Sequence, residues 1–183
     1  MKKVYIFLAD GFEEIEGLTV VDLLRRAGIE AVTVSIKEDK MVTGAHGISV
    51  MADFLFEEIK GTMADMAVLP GGMPGTTNLL AYEPLMDMVL GLHSAGAYVA
   101  AICAAPSILA EIGLLEGKKA TSYPGFEEKM TMAEYVYEPV VQDGQVITSR
   151  GMGTAIDFSL KLIEILVGEA KAKEISDSII YKM

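Results

Sequence analysis

Short runs rich in Val, Ile and Leu alternate along the chain with segments of helical period, and this alternation restricts the fold more than any other feature. A strand covered on both faces reads as a continuous apolar run, whereas a helix packed on a sheet repeats its apolar residues every three to four positions. Strands and helices in alternation are typical of a parallel sheet with helices on both faces. The predicted fold is therefore an α/β, doubly wound, mostly parallel sheet.

The predicted elements cover most of the chain. Five apolar runs are predicted to be strands: Lys3 to Leu8, Ala31 to Ile36, Met66 to Leu69, Ala97 to Ile102 and Val146 to Thr148. Helices are predicted over five segments: Ile15 to Ala27, Pro84 to Ser94, Ala104 to Ile112, Thr154 to Leu166 and a short polar helix from Glu169. Met41 to Ala52 contains two glycines and predicts a small hairpin after the second strand.

Length and composition favour one domain over residues 1–183. Hydrophobic residues make up 51% of the chain, and no stretch is rich enough in Pro, Ser or charge to mark a linker. No apolar run reaches the length of a membrane span, and the first one ends at Asp10, too soon for a signal peptide. A single cysteine forms no internal disulfide, so the cytoplasm is the expected compartment.

The net charge of -11 limits the partners. Contact with nucleic acid or anionic lipid is unfavourable for such a chain, because those contacts need cations at the phosphates. The expected partner is therefore a small molecule or a protein, and neither nucleic acid nor a membrane is expected.

Cys103, the single cysteine, is the candidate nucleophile. It lies where the predicted strand Ala97 to Ile102 gives way to the helix-like run Ala104 to Ile112. Such a corner places a side chain beside the unpaired N–H groups of a helix's first turn. These groups and the helix dipole stabilise a thiolate, so the thiol pKa is expected well below its usual value of about 8.5. A small buried hydrophobe is the alternative, and the corner favours the reactive interpretation.

A glycine-rich segment, Leu69 to Gly75, also follows a predicted strand and is expected to meet Cys103 at one edge of the sheet. The segment lacks the Lys-Ser/Thr of a P-loop, so a nucleotide site is not predicted. Its glycines let the backbone approach a reacting centre closely. The N–H groups of Gly72 and Ala104 are predicted to stabilise an oxyanion, with an ordinary tight turn as the alternative.

Three glutamates crowd the predicted first turn of the first helix. Glu13 and Glu14 need no role beyond complementing the helix dipole. Glu16 lies next to the apolar side of the helix, alongside Ile15 and Leu18, so it is predicted to point inward. Beside a thiolate, a buried carboxyl group has a raised pKa, and Glu16 is predicted to stay protonated and to donate a hydrogen bond to sulfur.

The two histidines and the single cysteine do not predict a metal site. His93 ends a predicted helix, where an interaction with the helix dipole is the favoured interpretation. His46 lies between Gly44 and Gly47 in the predicted hairpin. It is interpreted either as solvated or as reaching a pocket.

Motifs in the order of a known family span nearly the whole chain. They are Ala9 to Glu16 with Asp22 to Gly28, Leu69 to Gly72, Ala101 to Pro106, and Thr148 to Thr154. The chain resembles the ThiJ/PfpI superfamily, in particular its DJ-1-like branch of the parkinsonism-associated deglycase and bacterial relatives. The resemblance implies a flavodoxin-like fold of the class I glutamine amidotransferase type, a homodimer with the site near its interface, and no cofactor.

The resemblance also implies roles for particular residues. The family's elbow cysteine matches Cys103, its sulfur-facing glutamate matches Glu16, and its backbone donors match Gly72 and Ala104. Ala104 stands where the peptidase-like branch has a histidine. A Cys-His proteolytic dyad is therefore not expected.

Tyr123 and His46 are possible accessory residues of the site. Tyr123 stands where the nearer branch commonly has a histidine, and tyrosine is a poor base near pH 7. Proton transfer is therefore expected to use Glu16, water, Tyr123 as a donor, or His46. The position of His46 matches one whose side chain reaches the partner subunit's site in relatives, and His46 is predicted to do the same.

Three classes of function are compatible with these residues. The first is an enzyme in which Cys103 adds to a small reactive carbonyl such as methylglyoxal, as in the glyoxalase and deglycase activities credited to family members. The second is a redox-sensing stress protein or chaperone that uses oxidation of Cys103. A peptidase-like hydrolase or a non-catalytic binding module is the least favoured.

Overall fold

Seven strands in one sheet form the centre of the protein, whose computed structural model describes residues 1–181. The strands of the chain are β1 (Lys3–Leu8), β2 (Glu30–Ser35), β3 (Met41–Thr43), β4 (Ser49–Met51), β5 (Phe54–Leu55), β6 (Met66–Leu69), β7 (Tyr98–Ile102), β8 (Lys119–Ala120), β9 (Glu134–Tyr135), β10 (Val140–Asp143) and β11 (Val146–Ser149). The helices are α1 (Glu14–Arg26), α2 (Phe56–Ile59), α3 (Gly75–Ala81), α4 (Glu83–Ser94), α5 (Pro106–Glu111), α6 (Ala155–Val167) and α7 (Glu169–Ser178). Short 3-10 helices cover Glu127–Lys129 and Met152–Thr154.

The order of strands in the main sheet is β10-β11-β7-β6-β1-β2-β5, and every neighbouring pair is parallel except β10 with β11. From β1 the chain builds β2 on one side and later β6 and β7 on the other. The carboxyl ends of β1, β6 and β7 therefore lie together beside the point where the strand order reverses, and doubly wound sheets bind ligands there. The predicted flavodoxin-like α/β fold is confirmed.

The side chains of β1 show how the sheet is covered on both faces. Tyr5 and Phe7 belong to one buried cluster with residues of α4 and α5, whereas Val4, Ile6 and Leu8 belong to another with residues of α1 and α6. Alternate residues of a strand point to opposite faces, so the two clusters lie on the two sides of the sheet. Within residues 1–181, no helix has the length and hydrophobicity that crossing a bilayer requires.

The five predicted strands are confirmed to within one residue at each end, and so are the predicted helices that correspond to α1, α4 and α6. The predicted hairpin is confirmed as the antiparallel pair β3 and β4. The prediction of a helix from Ala104 is wrong at its start, because α5 begins at Pro106. The chain first makes a tight turn in which the Ala105 N–H donates to the Ile102 carbonyl at 3.1 Å.

Candidate active site

Cys103 occupies a strained corner directly after β7. Its φ is 66°, a left-handed conformation that residues other than glycine seldom adopt. Its N–H donates to the Ser149 carbonyl at 3.0 Å, and its carbonyl accepts the Tyr123 N–H at 2.8 Å. These bonds to two neighbouring segments hold the strained backbone in place. The thiol is only partly buried, so it is presented at the carboxyl edge of the sheet as predicted.

Gly71 brings the backbone after β6 against this corner. Its N–H donates to Oε2 of Glu16 at 2.9 Å. A Cβ added at Gly71 would lie 2.5 Å from Cβ of Cys103 and 2.6 Å from Oε2 of Glu16. No side chain fits there, so the close approach of three segments depends on a glycine at this position.

Glu16 lies in the first turn of α1 and is 1% exposed. Burial raises the pKa of Glu16 to about 7, although hydrogen bonds with the Cys103 thiol and the Gly71 N–H lower it. The negative charge of Glu13 raises it further. The predicted inward orientation and the contact with sulfur are therefore present. A carboxyl group with a pKa near neutrality can both accept and donate a proton at physiological pH.

The pKa of the thiol runs against the sequence-based expectation. Burial raises the pKa of Cys103 to about 12, and the charge of Glu16 and its hydrogen bond raise it as well. The N–H groups at the corner oppose this but do not outweigh it. The expectation of a lowered thiol pKa is thus wrong while Glu16 is ionised. Cys103 and Glu16 do not ionise together near neutral pH and share one proton as a coupled pair.

The backbone donors predicted at Gly72 and Ala104 both lie at the sulfur. The N–H groups of these two residues are hydrogen-bonded to Cys103 and lower its pKa. Gly72 has a φ of 91°, and an added Cβ would lie 2.6 Å from the Gly11 carbonyl oxygen. The geometry of the predicted donors is therefore present, and their action on an oxyanion stays a prediction.

Tyr123 lies at the rim of this site. Its side chain is half exposed, and its ring lies 3.3 Å from the position of a Cβ added at Gly151. The same position is 3.9 Å from Oε1 of Glu16. The structure therefore brings Tyr123 close to the Cys103 and Glu16 pair. Its part in the chemistry, as a hydrogen-bond donor, stays a prediction.

His46 does not bond to Cys103. Its backbone N–H donates to Oε1 of Glu14 at 2.8 Å, and its Nδ1 lies 2.9 Å from Oε2 of Glu14. Glu14 is only 4% exposed, so its interpretation as a simple helix-dipole acid is wrong. The sequence pattern of α1 alone does not indicate that the β3–β4 hairpin packs over the start of the helix and covers this carboxylate. The reach of His46 into a partner's site stays a prediction.

The hydrogen bonds of Glu14 and His46 shift both pKa values in the direction that favours charge. Burial raises the pKa of Glu14, but the bonds from His46, from its own backbone and from Ile48 together hold it below its usual value. The bond to Glu14 raises the pKa of His46, and the charges of Glu13 and Glu14 add to this. The hairpin and α1 are therefore joined by the hydrogen bond between His46 and Glu14, which is an ion pair when the imidazole is protonated.

Sequence reasoning placed the Gly71 and Gly72 backbone beside Glu16 and Cys103, and the Gly71 N–H does bind Glu16. It missed two contacts from the end of β11 and the segment after it: the Ser149 carbonyl accepts from the Cys103 N–H, and Gly151 leaves space for the Tyr123 ring. Both residues lie inside a motif that the resemblance already contained. The glycine at 151 was the available signal for a close approach, whereas nothing in the sequence marks the Ser149 carbonyl.

Residues 2–165 match the model of the DJ-1/PfpI family. The chain belongs to this family. DJ-1 homolog B from Arabidopsis thaliana is 41% identical over 99% of the chain and 42% of its own length. Protein dj-1beta from Drosophila melanogaster is 35% identical over 98% of the chain and 97% of its own length. The chain spans less than half the length of the Arabidopsis homologs A and B.

Other DJ-1/PfpI relatives bear on chemistry and structure. A deglycase from Pyrococcus abyssi is 34% identical over 90% of the chain and 99% of its own length. Oxidised DJ-1 from Toxoplasma gondii superposes with a TM-score of 0.95 at 35% identity, with both chains fully covered. A C103A mutant of a DJ-1 superfamily protein from Salmonella typhimurium gives a TM-score of 0.96 at 34% identity, again with full coverage of both.

Proposed function

We propose that the protein is a cysteine-dependent enzyme, without an organic cofactor, that converts small α-oxoaldehydes such as methylglyoxal into hydroxy acids. One observation carries the proposal: buried Glu16, whose pKa is raised to about 7, is hydrogen-bonded to the Cys103 thiol. The N–H groups of Gly72 and Ala104 also lie at this sulfur. A nucleophile, a proton carrier and two oxyanion donors are thus within reach of one small molecule.

The reaction begins with addition of the Cys103 sulfur to the aldehyde carbon. A C–S bond forms, and the carbonyl electron pair becomes an alkoxide beside the sulfur, where the N–H groups of Gly72 and Ala104 stabilise it. The alkoxide takes the proton that Cys103 and Glu16 share. The product is a hemithioacetal, and Glu16 is left as a carboxylate.

Glu16 then transfers a proton between two carbons. Its carboxylate removes the hydrogen of the former aldehyde carbon as a proton, the hydroxyl proton on that carbon moves to the neighbouring carbonyl oxygen, and Glu16 returns its proton to the neighbouring carbon. This isomerisation converts the hemithioacetal into a thioester of Cys103. Water adds to the thioester, the C–S bond breaks, and the hydroxy acid leaves while the shared proton is restored. Methylglyoxal and one water thus give lactate.

The decisive test is lactate formation from methylglyoxal in a buffer without amines or added thiol. The intact protein is expected to turn over many times, whereas Cys103→Ala should show no activity because the nucleophile is absent. His93→Gln is the matched control and should keep full activity, since His93 lies on α4 outside the site. Consumption of only one equivalent of aldehyde per protein chain, without formation of lactate, would overturn the enzyme proposal.

A second candidate function is redox sensing, and the surroundings of the sulfur favour it. Peroxide transfers one oxygen atom to a thiolate and releases water, giving a sulfenate and then, with a second peroxide, a sulfinate. The donors at Gly72 and Ala104 and a protonated Glu16 would bind the oxygens of a Cys103 sulfinate. The oxidised DJ-1 from Toxoplasma gondii is a relative in which oxidation has been observed.

Intact-mass spectra after mild peroxide treatment test this second candidate. Glu16→Gln keeps a hydrogen-bond donor near the sulfur and should still accumulate the sulfinate. Glu16→Asp shortens the side chain by one methylene and moves the acid away from the sulfur. Cys103 should then either be oxidised further to the sulfonate or resist oxidation. If both variants behave alike, Glu16 does not control the oxidation of Cys103.

The proposed active form is a homodimer in a reducing compartment such as the cytoplasm, with a small reactive carbonyl as its ligand. An apolar face of α1, α6 and the β3–β4 hairpin supports self-association. Its exposed members include Ile15 at 49% and Ile48 at 55%, and Leu18 and Ile156 line the same depression. A reducing compartment suits a protein that must keep Cys103 as a thiol.

A further inference from the structure

The Cys103 corner is held in part by residues 122 and 123, which follow β8. The Tyr123 N–H donates to the Cys103 carbonyl at 2.8 Å. Cys103 has a φ of 66°, and such a conformation persists only where the surrounding structure holds it. The position of the sulfur therefore depends on where this neighbouring segment lies.

The hydroxyl of Tyr135 binds both backbone groups of Ser122. It donates to the Ser122 carbonyl at 3.0 Å and accepts the Ser122 N–H at 3.3 Å. It also lies 3.2 Å from Oγ of Ser122. Ser122 is fully buried, so its N–H and carbonyl depend on partners inside the protein. One phenol thus supplies partners for both of them.

The backbone and ring of Tyr135 are held in place by their neighbours. Tyr135 pairs in β9 with Ala120 of β8, just upstream of Ser122, and the Val136 N–H donates to the Ala120 carbonyl at 2.9 Å. Its ring packs against one of the two buried clusters and edge-on against Tyr137, with ring centroids 5.1 Å apart. The hydroxyl is therefore kept at a fixed distance from Ser122.

Arg150 gives the Ser122 carbonyl a second donor. Its Nε donates to that carbonyl at 3.4 Å, and its guanidinium carbon lies 5.4 Å from the centroid of the Tyr137 ring. Arg150 directly follows Ser149, whose carbonyl accepts the Cys103 N–H at 3.0 Å. None of these residues lines the apolar depression of α1, α6 and the hairpin. The two segments that hold the Cys103 backbone are thus joined to each other through Ser122, within one subunit.

We propose that Tyr135 is a positioning residue for Cys103, because its hydroxyl holds the segment whose Tyr123 N–H holds the cysteine corner. Without the hydroxyl, residues 122 and 123 lose their main support, and the corner relaxes from its left-handed conformation. The sulfur then moves away from the Glu16 carboxyl and from the two backbone donors. The consequence for turnover rests on the proposed function, whereas the consequence for the ionisation of the thiol does not.

Alkylation by iodoacetamide tests this role without any need for turnover, because its rate follows the thiolate fraction. Tyr135→Phe removes one oxygen atom and keeps the ring that packs on the core. With the sulfur farther from the Glu16 charge, the pKa of the Cys103 thiol should fall from about 12 towards its ordinary 8.5. In the methylglyoxal assay, kcat should fall at least about tenfold, because the nucleophile is displaced.

Tyr5→Phe is the matched control. Tyr5 is buried, and its hydroxyl lies 2.6 Å from Oγ1 of Thr62, which precedes β6 at the opposite end of the sheet. Loss of this hydroxyl should lower the urea midpoint to a similar extent as Tyr135→Phe but leave the thiol pKa and kcat unchanged. Arg150→Met removes the donor with the longer bond to Ser122, so it should lower the thiol pKa by less than Tyr135→Phe does.

The positioning role is overturned if Tyr135→Phe keeps the thiol pKa of the unaltered protein. It is also overturned if Tyr5→Phe lowers that pKa as much, since the effect would then come from a general loosening of the fold. A thiol pKa lowered in Tyr135→Phe and not in Tyr5→Phe supports the role even if the unaltered protein forms no lactate, a result that would overturn only the proposed function.

Discussion

Cys103 and Glu16 behave as one titrating unit at the scale of single residues. Burial raises the pKa of Glu16 to about 7, and the charge of Glu16 contributes to raising the pKa of Cys103 to about 12. The first proton to leave therefore belongs to the pair, and the second leaves only at much higher pH. Alkylation by iodoacetamide, whose rate follows the thiolate fraction, reports both steps.

We expect the alkylation rate of the unaltered protein to rise with pH in two separate steps, the first at or below about pH 7. In Glu16→Gln the neighbouring charge is absent, so a single step should remain. Glu116→Gln, which changes an exposed glutamate, should retain both steps. A single step near 8.5, the ordinary thiol pKa, would show that the two groups are not coupled.

Glu16 also makes folding depend on pH. Its pKa is raised from 4.5 to about 7, so the folded state binds the proton more tightly than the unfolded chain does. The stability gained from this proton is fully present below pH 4.5 and is lost as pH rises through 7. Between pH 4.5 and pH 8, the free energy of unfolding measured in urea should fall by about 3 kcal/mol less in Glu16→Gln than in the unaltered protein. An equal fall in both proteins would contradict a raised pKa.

At the scale of elements, the parallel strands were predictable because apolar runs report burial on both faces directly. The left-handed φ of Cys103 was not, since nothing in the sequence around it requires that conformation, whereas Pro106 is a signal for the start of α5 that was overlooked. The pairing of Glu14 with His46 was also hidden, because it joins two elements far apart in the sequence. Their position beside a strand end was enough to predict that Glu16 and Gly72 lie in the site. Contacts between loops depend on the tertiary fold and leave no such pattern in the sequence.

Gly71→Ala should disable the site through packing alone. The added methyl group would overlap Cβ of Cys103 and Oε2 of Glu16, so the loop after β6 must move away from the corner. We expect methylglyoxal turnover to fall at least about a hundredfold, because a displacement of about 1 Å is enough for such a loss. Gly91→Ala is the matched control: it lies in α4 with open space around it and should raise stability by about 0.5–1 kcal/mol.

Glu14→Ala should loosen the hairpin that covers α1. It removes a buried carboxylate that accepts hydrogen bonds from His46 and Ile48, so the free energy of unfolding should fall by about 2 kcal/mol. The pKa of Glu14 is lowered, so this contribution is present at neutral pH and is lost as the pH falls through that pKa. Urea unfolding and faster amide exchange at residues 44–48 measure the effect.

Glu83→Ala is the matched change in another helix. Glu83 lies in the first turn of α4 and is exposed, so its removal should cost only about 0.3 kcal/mol. A cost for Glu14→Ala as small as that for Glu83→Ala would restore the simpler interpretation of Glu14 as a helix-dipole acid.

At the scale of the whole molecule, the apolar face of α1, α6 and the hairpin predicts self-association. Sedimentation at micromolar concentration should give about twice the chain mass of 19.6 kDa. Ile48→Glu puts a charge into this face and should shift the protein to the monomer. Met132→Glu changes a side chain of similar exposure, 62%, elsewhere and should leave the dimer intact. A monomer for the unaltered chain would remove the route by which His46 reaches a neighbouring site.

The N–H groups at the Cys103 sulfur are the main-chain amides of Gly72 and Ala104, and the amide of Gly71 binds Glu16 beside them. Alanine scanning does not detect such groups, because the amide N–H remains after every change of side chain except one to proline. A deep mutational scan would therefore show only that these positions do not tolerate larger side chains, and it would miss the hydrogen bonds that their N–H groups donate. Replacing the amide of Ala104 by an ester, which deletes one N–H and leaves the side chain in place, is the substitution that would reveal them.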